Sequence, residues 1–98
     1  MSAGPRWDAV AVHPGDDVAT ALRPIPAGSL ARVQLGGETR ECPVVEAIPF
    51  GHKLALRELG AGQPVRKYGE VIGETAAPVS RGAHVHVHNL VSRRARRG

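Results

Sequence analysis

The sequence predicts an all-β, or mostly β, fold. Three observations predict it. The apolar runs are short and rich in β-branched residues. Turn punctuation is dense, with 12 Gly and 8 Pro in 98 residues. No stretch holds a 3.6-residue apolar period over three turns, which a packed helix would need.

The elements follow in order along the chain. Residues 9–13 alternate weakly and read as a strand. Residues 18–22 read as a strand or as one helical turn. In Leu30–Leu35, Ala31, Val33 and Leu35 share one face while Leu30 and Arg32 take the other, as in a half-buried strand. Gly36-Gly37 is a hairpin signal, with residues 38–47 as the return strand. Residues 52–56 form a further short strand. Residues 64–68 and 71–75 flank Gly69 as strand, turn and strand. Residues 57–63 contain Gly60 and Gly62 and will not hold a long helix. Residues 83–90 make the last strand.

One phrase recurs, reading apolar-x-x-Gly. It appears as Ile25-Pro26-Ala27-Gly28, Leu59-Gly60-Ala61-Gly62 and Val79-Ser80-Arg81-Gly82, each ahead of a strand. The physical reading is a tight turn whose glycine takes positive φ, with the apolar residue anchored in the core. The unequal spacing does not make a solenoid.

A chain of 98 residues is one small domain. The boundaries read as an extension over 1–8, the folded domain over 9–91 and a basic, disordered tail over 92–98. Trp7, Phe50 and Tyr68 are the only aromatic residues, so a core of Val, Ala and Leu would gain from an oligomer or a second domain. The net charge is +4, but Arg93, Arg94, Arg96 and Arg97 crowd the end. Leaving those four out of the 13 basic residues gives nine, which match the nine acidic ones. The folded part is neutral, and composition reads the tail as solvated rather than as a nucleic-acid site. Cys42 is the only cysteine, which excludes an internal disulfide and reads as a buried, inert thiol. No signal-peptide pattern or membrane span is evident, so the expected compartment is the cytoplasm.

The strongest chemical signal is His84-Val85-His86-Val87-His88, followed by Asn89. On a strand the three imidazoles would share one face, roughly 6.6–7 Å apart, with Val85 and Val87 toward the core. Neighbouring rings could converge on one ion or one anionic substrate. Histidine is the commonest metal ligand and titrates near neutrality. A stable site wants three or four ligands, for which His13 and His52 are the nearest further candidates, with Asp16 and Asp17 beyond His13 at a turn. The alternatives are a polar cleft or a plain surface. In Phe50-Gly51-His52-Lys53, the lysine suits an anion. In Arg66-Lys67-Tyr68-Gly69-Glu70, Lys67 and the Tyr68 hydroxyl could bind a carboxylate or phosphate, or the segment is a charged hairpin edge. No catalytic serine triad, phosphate loop or dinucleotide fingerprint is present.

Three phrases together resemble a known family. They are residues 48–57 with Gly51-His52-Lys53, residues 62–73 with Lys67-Tyr68-Gly69-Glu70 and Ile72-Gly73, and residues 82–90 with His86-Val87-His88-Asn89. With His13-Pro14-Gly15-Asp16-Asp17, they resemble the SAF domain of the altronate and galactarate dehydratases over residues 9–91. His84 is less characteristic of the family phrase than His86 and His88. The resemblance implies a β-clip architecture, a long bent hairpin folded over itself. It implies a lyase that eliminates water from sugar acids in carbohydrate acid metabolism, with a divalent metal, iron, held mainly by a large catalytic domain or subunit. A related two-subunit sulfolactate sulfo-lyase eliminates sulfite.

The expectation is a separately encoded small subunit, inactive alone, that covers the active site of a large lyase subunit. Its substrate would be a sugar acid or a sulfonated hydroxy acid. The expected catalytic residues are His52, His86 and His88, and the expected substrate-binding residues are Lys53, Lys67, Tyr68 and Asn89. His86 and His88 are the metal candidates. The competing expectations are a sulfolactate sulfo-lyase small subunit or a non-catalytic module that binds a sugar acid or scaffolds a complex. SAF-type domains also occur in antifreeze and assembly-chaperone settings. No membrane or nucleic-acid partner is expected, and a homo-oligomer stays open.

Overall fold

The computed structural model describes residues 7–92. Nine short strands and, among the described residues, no helix make up the fold. They are β1 (Ala9–Ala11), β2 (Val18–Ala21), β3 (Leu30–Leu35), β4 (Glu38–Pro43), β5 (Lys53–Ala55), β6 (Pro64–Lys67), β7 (Glu70–Thr75), β8 (His84–Val85) and β9 (Leu90–Ser92). The all-β expectation holds. Residues 1–6 of the expected extension and 93–98 of the basic tail lie outside the described residues, while Ser92 closes β9.

Six strands form a mixed sheet in the order β4-β3-β1-β2-β5-β8, and three form an antiparallel sheet in the order β6-β7-β9. The β1–β3 pair is parallel, and the other named pairs are antiparallel. Alternation decides what β3 buries: Ala31 and Val33 are inside while Leu30 and Arg32 are exposed. Residues 18–22 resolve as a strand over Val18–Ala21, because both edges of β2 are taken, by β1 and by β5.

Two strands differ from the sequence reading. The return strand after Gly36-Gly37 ends at Pro43 instead of reaching residue 47. From Val45 onward the backbone turns to another partner, with the Val45 N–H donating to the Gly82 carbonyl at 3.0 Å. The last strand is also broken. It runs only over His84–Val85, turns through residues 86–89, and resumes as β9 in the other sheet. Val87 is therefore 82% exposed and does not face the core, while Val85 is fully buried. The cause is Asn89, whose amide takes the His86 N–H and the His84 carbonyl that a continuing ladder would have used.

The apolar-x-x-Gly phrases are the framework of the turns. Ile25, Leu59 and Val79 are buried, and Gly28, Gly62 and Gly82 have φ of 86°, 72° and 85°. The structure reveals a fourth copy, Ile48-Pro49-Phe50-Gly51, with Gly51 at φ 81°. The four copies act in pairs. Ile25 and Ile48 exchange both backbone hydrogen bonds, as do Leu59 and Val79, all at 2.8 Å. A strand begins five residues after each apolar anchor, at Leu30, Lys53, Pro64 and His84. The fourth phrase thereby sets where His52 and Lys53 enter β5.

Two apolar clusters flank the join between β5 and β8. One gathers Ala9, Ile25, Val33, Val44, Ile48 and Leu54, among others. The other gathers Val18, Ala55, Leu59, Val65, Val79 and Val85, with Ala83. Adjacent residues of β5 thus serve opposite cores, Leu54 one and Ala55 the other. Among the described residues no helix is long and apolar enough to cross a membrane.

Candidate active site

The site is built where β5 lies beside β8. Their register pairs Leu54 with His84 and Lys53 with Val85. His52 precedes β5 on the fourth turn, and its backbone is held at both ends. Its N–H donates to the Pro49 carbonyl at 3.0 Å, and its carbonyl accepts the Ala21 N–H at 2.8 Å. The His84 N–H donates to Oε1 of Glu46 at 2.8 Å. Asn89 fastens the rest, with Oδ1 accepting the His86 N–H at 2.9 Å and Nδ2 donating to the His84 carbonyl at 2.8 Å.

This framework gathers imidazoles from two distant segments. Nδ1 of His52 is 2.8 Å from Nε2 of His84. The His52 ring stacks on His86 with centroids 3.9 Å apart and planes 14° apart. His84 and His86 lie 5.6 Å apart and nearly parallel. One ring nitrogen from each of His52, His84 and His86 falls within 4.8 Å of the others. His88 packs on His84 at 5.0 Å with a 38° tilt, and its side chain is exposed. The compact group therefore includes His84 alongside His52 and His86, with His88 at its margin.

The electrostatics favour the neutral form of His84 and His86. Burial pushes His84 below its ordinary value of 6.5, as do His88, His52 and His86, while Glu46 works the other way. Desolvation lowers His86, followed by the charges of His52, Lys53 and His88. Lys53 is half-buried, and burial lowers its pKa first, with Lys67 adding repulsion. Lys67 in turn sits 4.8 Å above the Tyr68 ring. Neutral imidazoles beside two ammonium groups can hold a cation through lone pairs, receive a proton, or face an anion.

Asp16 carries a role that the sequence reading did not give it. It is buried, and its carboxylate accepts the N–H groups of Tyr68 at 2.9 Å and Gly69 at 2.8 Å. Tyr68 and Gly69 both have positive φ, 57° and 78°, as a type I′ hairpin turn requires. Tyrosine is strained there, and Asp16 holds the turn that presents Lys67 and Tyr68. Asp17 braces the same hairpin, accepting the Arg66 N–H at 2.8 Å and pairing with Arg57 at 3.3 Å. Both aspartates are thus engaged in structure. His13 packs beside Gly69, and its Nδ1 accepts the Gly15 N–H at 3.1 Å. The signal for Asp16 was its place in the sequence, at a turn beside His13, but not its partner 52 residues away. Cys42 is buried, and burial raises its thiol pKa, so it is an inert core residue.

Comparison with known proteins adds the wider context. A family model described as the altronate/galactarate dehydratase SAF domain matches residues 7–93. A (2R)-sulfolactate sulfo-lyase subunit alpha from Chromohalobacter salexigens is 37% identical over 87 residues, which cover 85% of this chain and 93% of that protein. The corresponding subunit from Paracoccus pantotrophus is 49% identical over 47 residues, covering 48% of this chain and 70% of that one. The altronate dehydratase of Bacillus subtilis is 38% identical over 80 residues, covering 82% of this chain but only 15% of that enzyme.

Proposed function

Because the chain belongs to the altronate/galactarate dehydratase SAF domain family, we propose that it is the small subunit of a dehydratase-type lyase and closes over the active site of a large subunit. The observation that carries this reading is the bunching of His52, His84 and His86 beside Lys53 on one rim of the domain. The match to nearly the full length of a sulfo-lyase subunit alpha supports a two-subunit enzyme. In altronate dehydratase the matched region is only 15% of the enzyme, so most of that protein lies outside the part this chain resembles.

The reaction is a β-elimination. A base removes the proton α to a carboxylate, and hydroxide leaves from the β carbon with a proton from a general acid. Charge collects on the carboxylate as the enolate forms and needs cations aimed at it. Lys53, with Lys67 and the Tyr68 hydroxyl, meets that need. His88, outside the imidazole cluster, takes or returns protons, as do His52 and His86 while no ion occupies them, and Asn89 keeps the rings of His84 and His86 aligned by holding their backbone. The donor chemistry of three clustered imidazoles fits a divalent transition metal, iron included. Such an ion, when bound, supplies Lewis acidity to the substrate oxygens.

A second reading is favoured by the length match to the sulfo-lyase subunits: the same rim would serve loss of a sulfonate group instead of hydroxide. The test is reconstitution with the large lyase subunit of the same organism, assayed on a panel of sugar acids and on sulfolactate. Each subunit alone is expected to be inactive, and the mixture active on one class. Full turnover by His86→Ala and His88→Ala complexes would remove the proton-transfer role. An aldonate bound by the isolated chain, with no complex formed, would favour a simple binding module.

A further inference from the structure

We infer that His52, His84 and His86 form a divalent transition-metal site within this chain, with its open positions facing oxygen donors. The ring nitrogens already converge, with the three ligand atoms inside 4.8 Å and one pair at 2.8 Å. Metal–imidazole bonds of about 2.0–2.1 Å place neighbouring ligand nitrogens roughly 3 Å apart. The rings are stacked nearly parallel, so binding also requires χ rotations that tilt them until their in-plane lone pairs meet at one point, a movement confined to the side chains.

The backbone is prepared for this task. Metal sites depend on supports that fix their ligands. Here Pro49 and Ala21 pin His52, Glu46 and Asn89 pin His84, and Asn89 pins His86. The ion pairs among the described residues involve Asp8, Glu38 and Asp17, and Glu46, held on the His84 N–H, is the carboxylate whose charge reaches these rings. Three neutral ligands leave the ion its full charge of +2. The vacant positions then prefer anionic oxygen, and Lys53 beside His86 favours the same ligands. His88 stacks only on His84 and stays outside the ligand set.

The site stands apart from the lyase reading, since a cation can bind here whatever the reaction. Calorimetric titration of the full, metal-free chain with Zn²⁺ and Co²⁺ is expected to show one ion per chain. His52→Ala, His84→Ala and His86→Ala should each weaken binding about 10–100-fold. His13→Ala should leave it unchanged, and His88→Ala within about threefold. Thermal unfolding checks that each variant folds. Proton NMR of the Co²⁺-loaded wild-type chain needs no variant and should show the largest shifts at the ring protons of those three histidines, with a smaller through-space shift at His88, which packs on His84. Absence of one-to-one binding below millimolar concentration, or the largest shifts at His13 or His88 instead, would overturn the site. Binding without lyase activity would leave the site intact and count against the function alone.

Discussion

Nδ1 of His52 meets Nε2 of His84 at 2.8 Å across 32 residues of chain. One of the two nitrogens must donate a proton and the other accept it, so the contact exists only while the pair is not doubly protonated.

The first prediction is a loss of stability in acid. His84 and His86 both have pKa values below 6.5 in the fold. As pH falls through about 6.5, the unfolded chain takes up these protons first, so acid favours unfolding. Above neutrality both states are uncharged at these rings, and the effect vanishes. Lys53, His52 and His88 act in the same direction as burial at these sites, and Glu46 opposes it at His84. Melting temperature of the metal-free chain should be level above about pH 7 and drop below about 6.5. A His84→Gln, His86→Gln double variant should flatten that drop. An unchanged profile would refute the assignment.

Asp16 should matter more than any surface charge. Asp16→Ala leaves the N–H groups of Tyr68 and Gly69 without their acceptor in a buried setting. A loss of about 3 kcal/mol is expected in urea unfolding. Tyr68→Gly tests the turn from the other side. It removes the left-handed strain at φ 57° and should not destabilise.

Two glycines with nearly the same φ should respond very differently. A Cβ at Gly82 would lie 1.9 Å from the Pro43 carbonyl oxygen, whereas one at Gly28 meets nothing within 4 Å. Gly28→Ala should cost only the backbone strain, about 1–2 kcal/mol. Gly82→Ala should force the turn away from β4 and prevent stable folding. Comparable soluble yield and melting temperature for the two variants would contradict the close approach.

Lys53 should act on substrate binding. Lys53→Met in the reconstituted complex should raise KM about tenfold, as expected for loss of one charge-assisted contact. Lys53→Arg should restore part of it. A fall in kcat with KM unchanged would instead point to a role in the chemical step.

The sequence by itself determined the class of fold, the faces of the long strands and the turn framework. Those features are local: a period of two in Leu30–Leu35, and an apolar anchor three residues before a glycine that needs positive φ. The family phrases around His52, Lys67 and His86 were legible for the same reason. The tertiary structure alone decided which histidines meet. The register of β5 against β8 brings His84 to His52, and pairing between strands about 30 residues apart leaves no trace in a local pattern. It also decided the fate of Val87. The Asn89 amide competes for the backbone groups that a continuous strand would use, and a contest between two hydrogen-bonding partners of similar strength is settled by the packing around them. Asp16 makes the same point, since its meaning lies in two N–H groups on a hairpin that only folding brings to it.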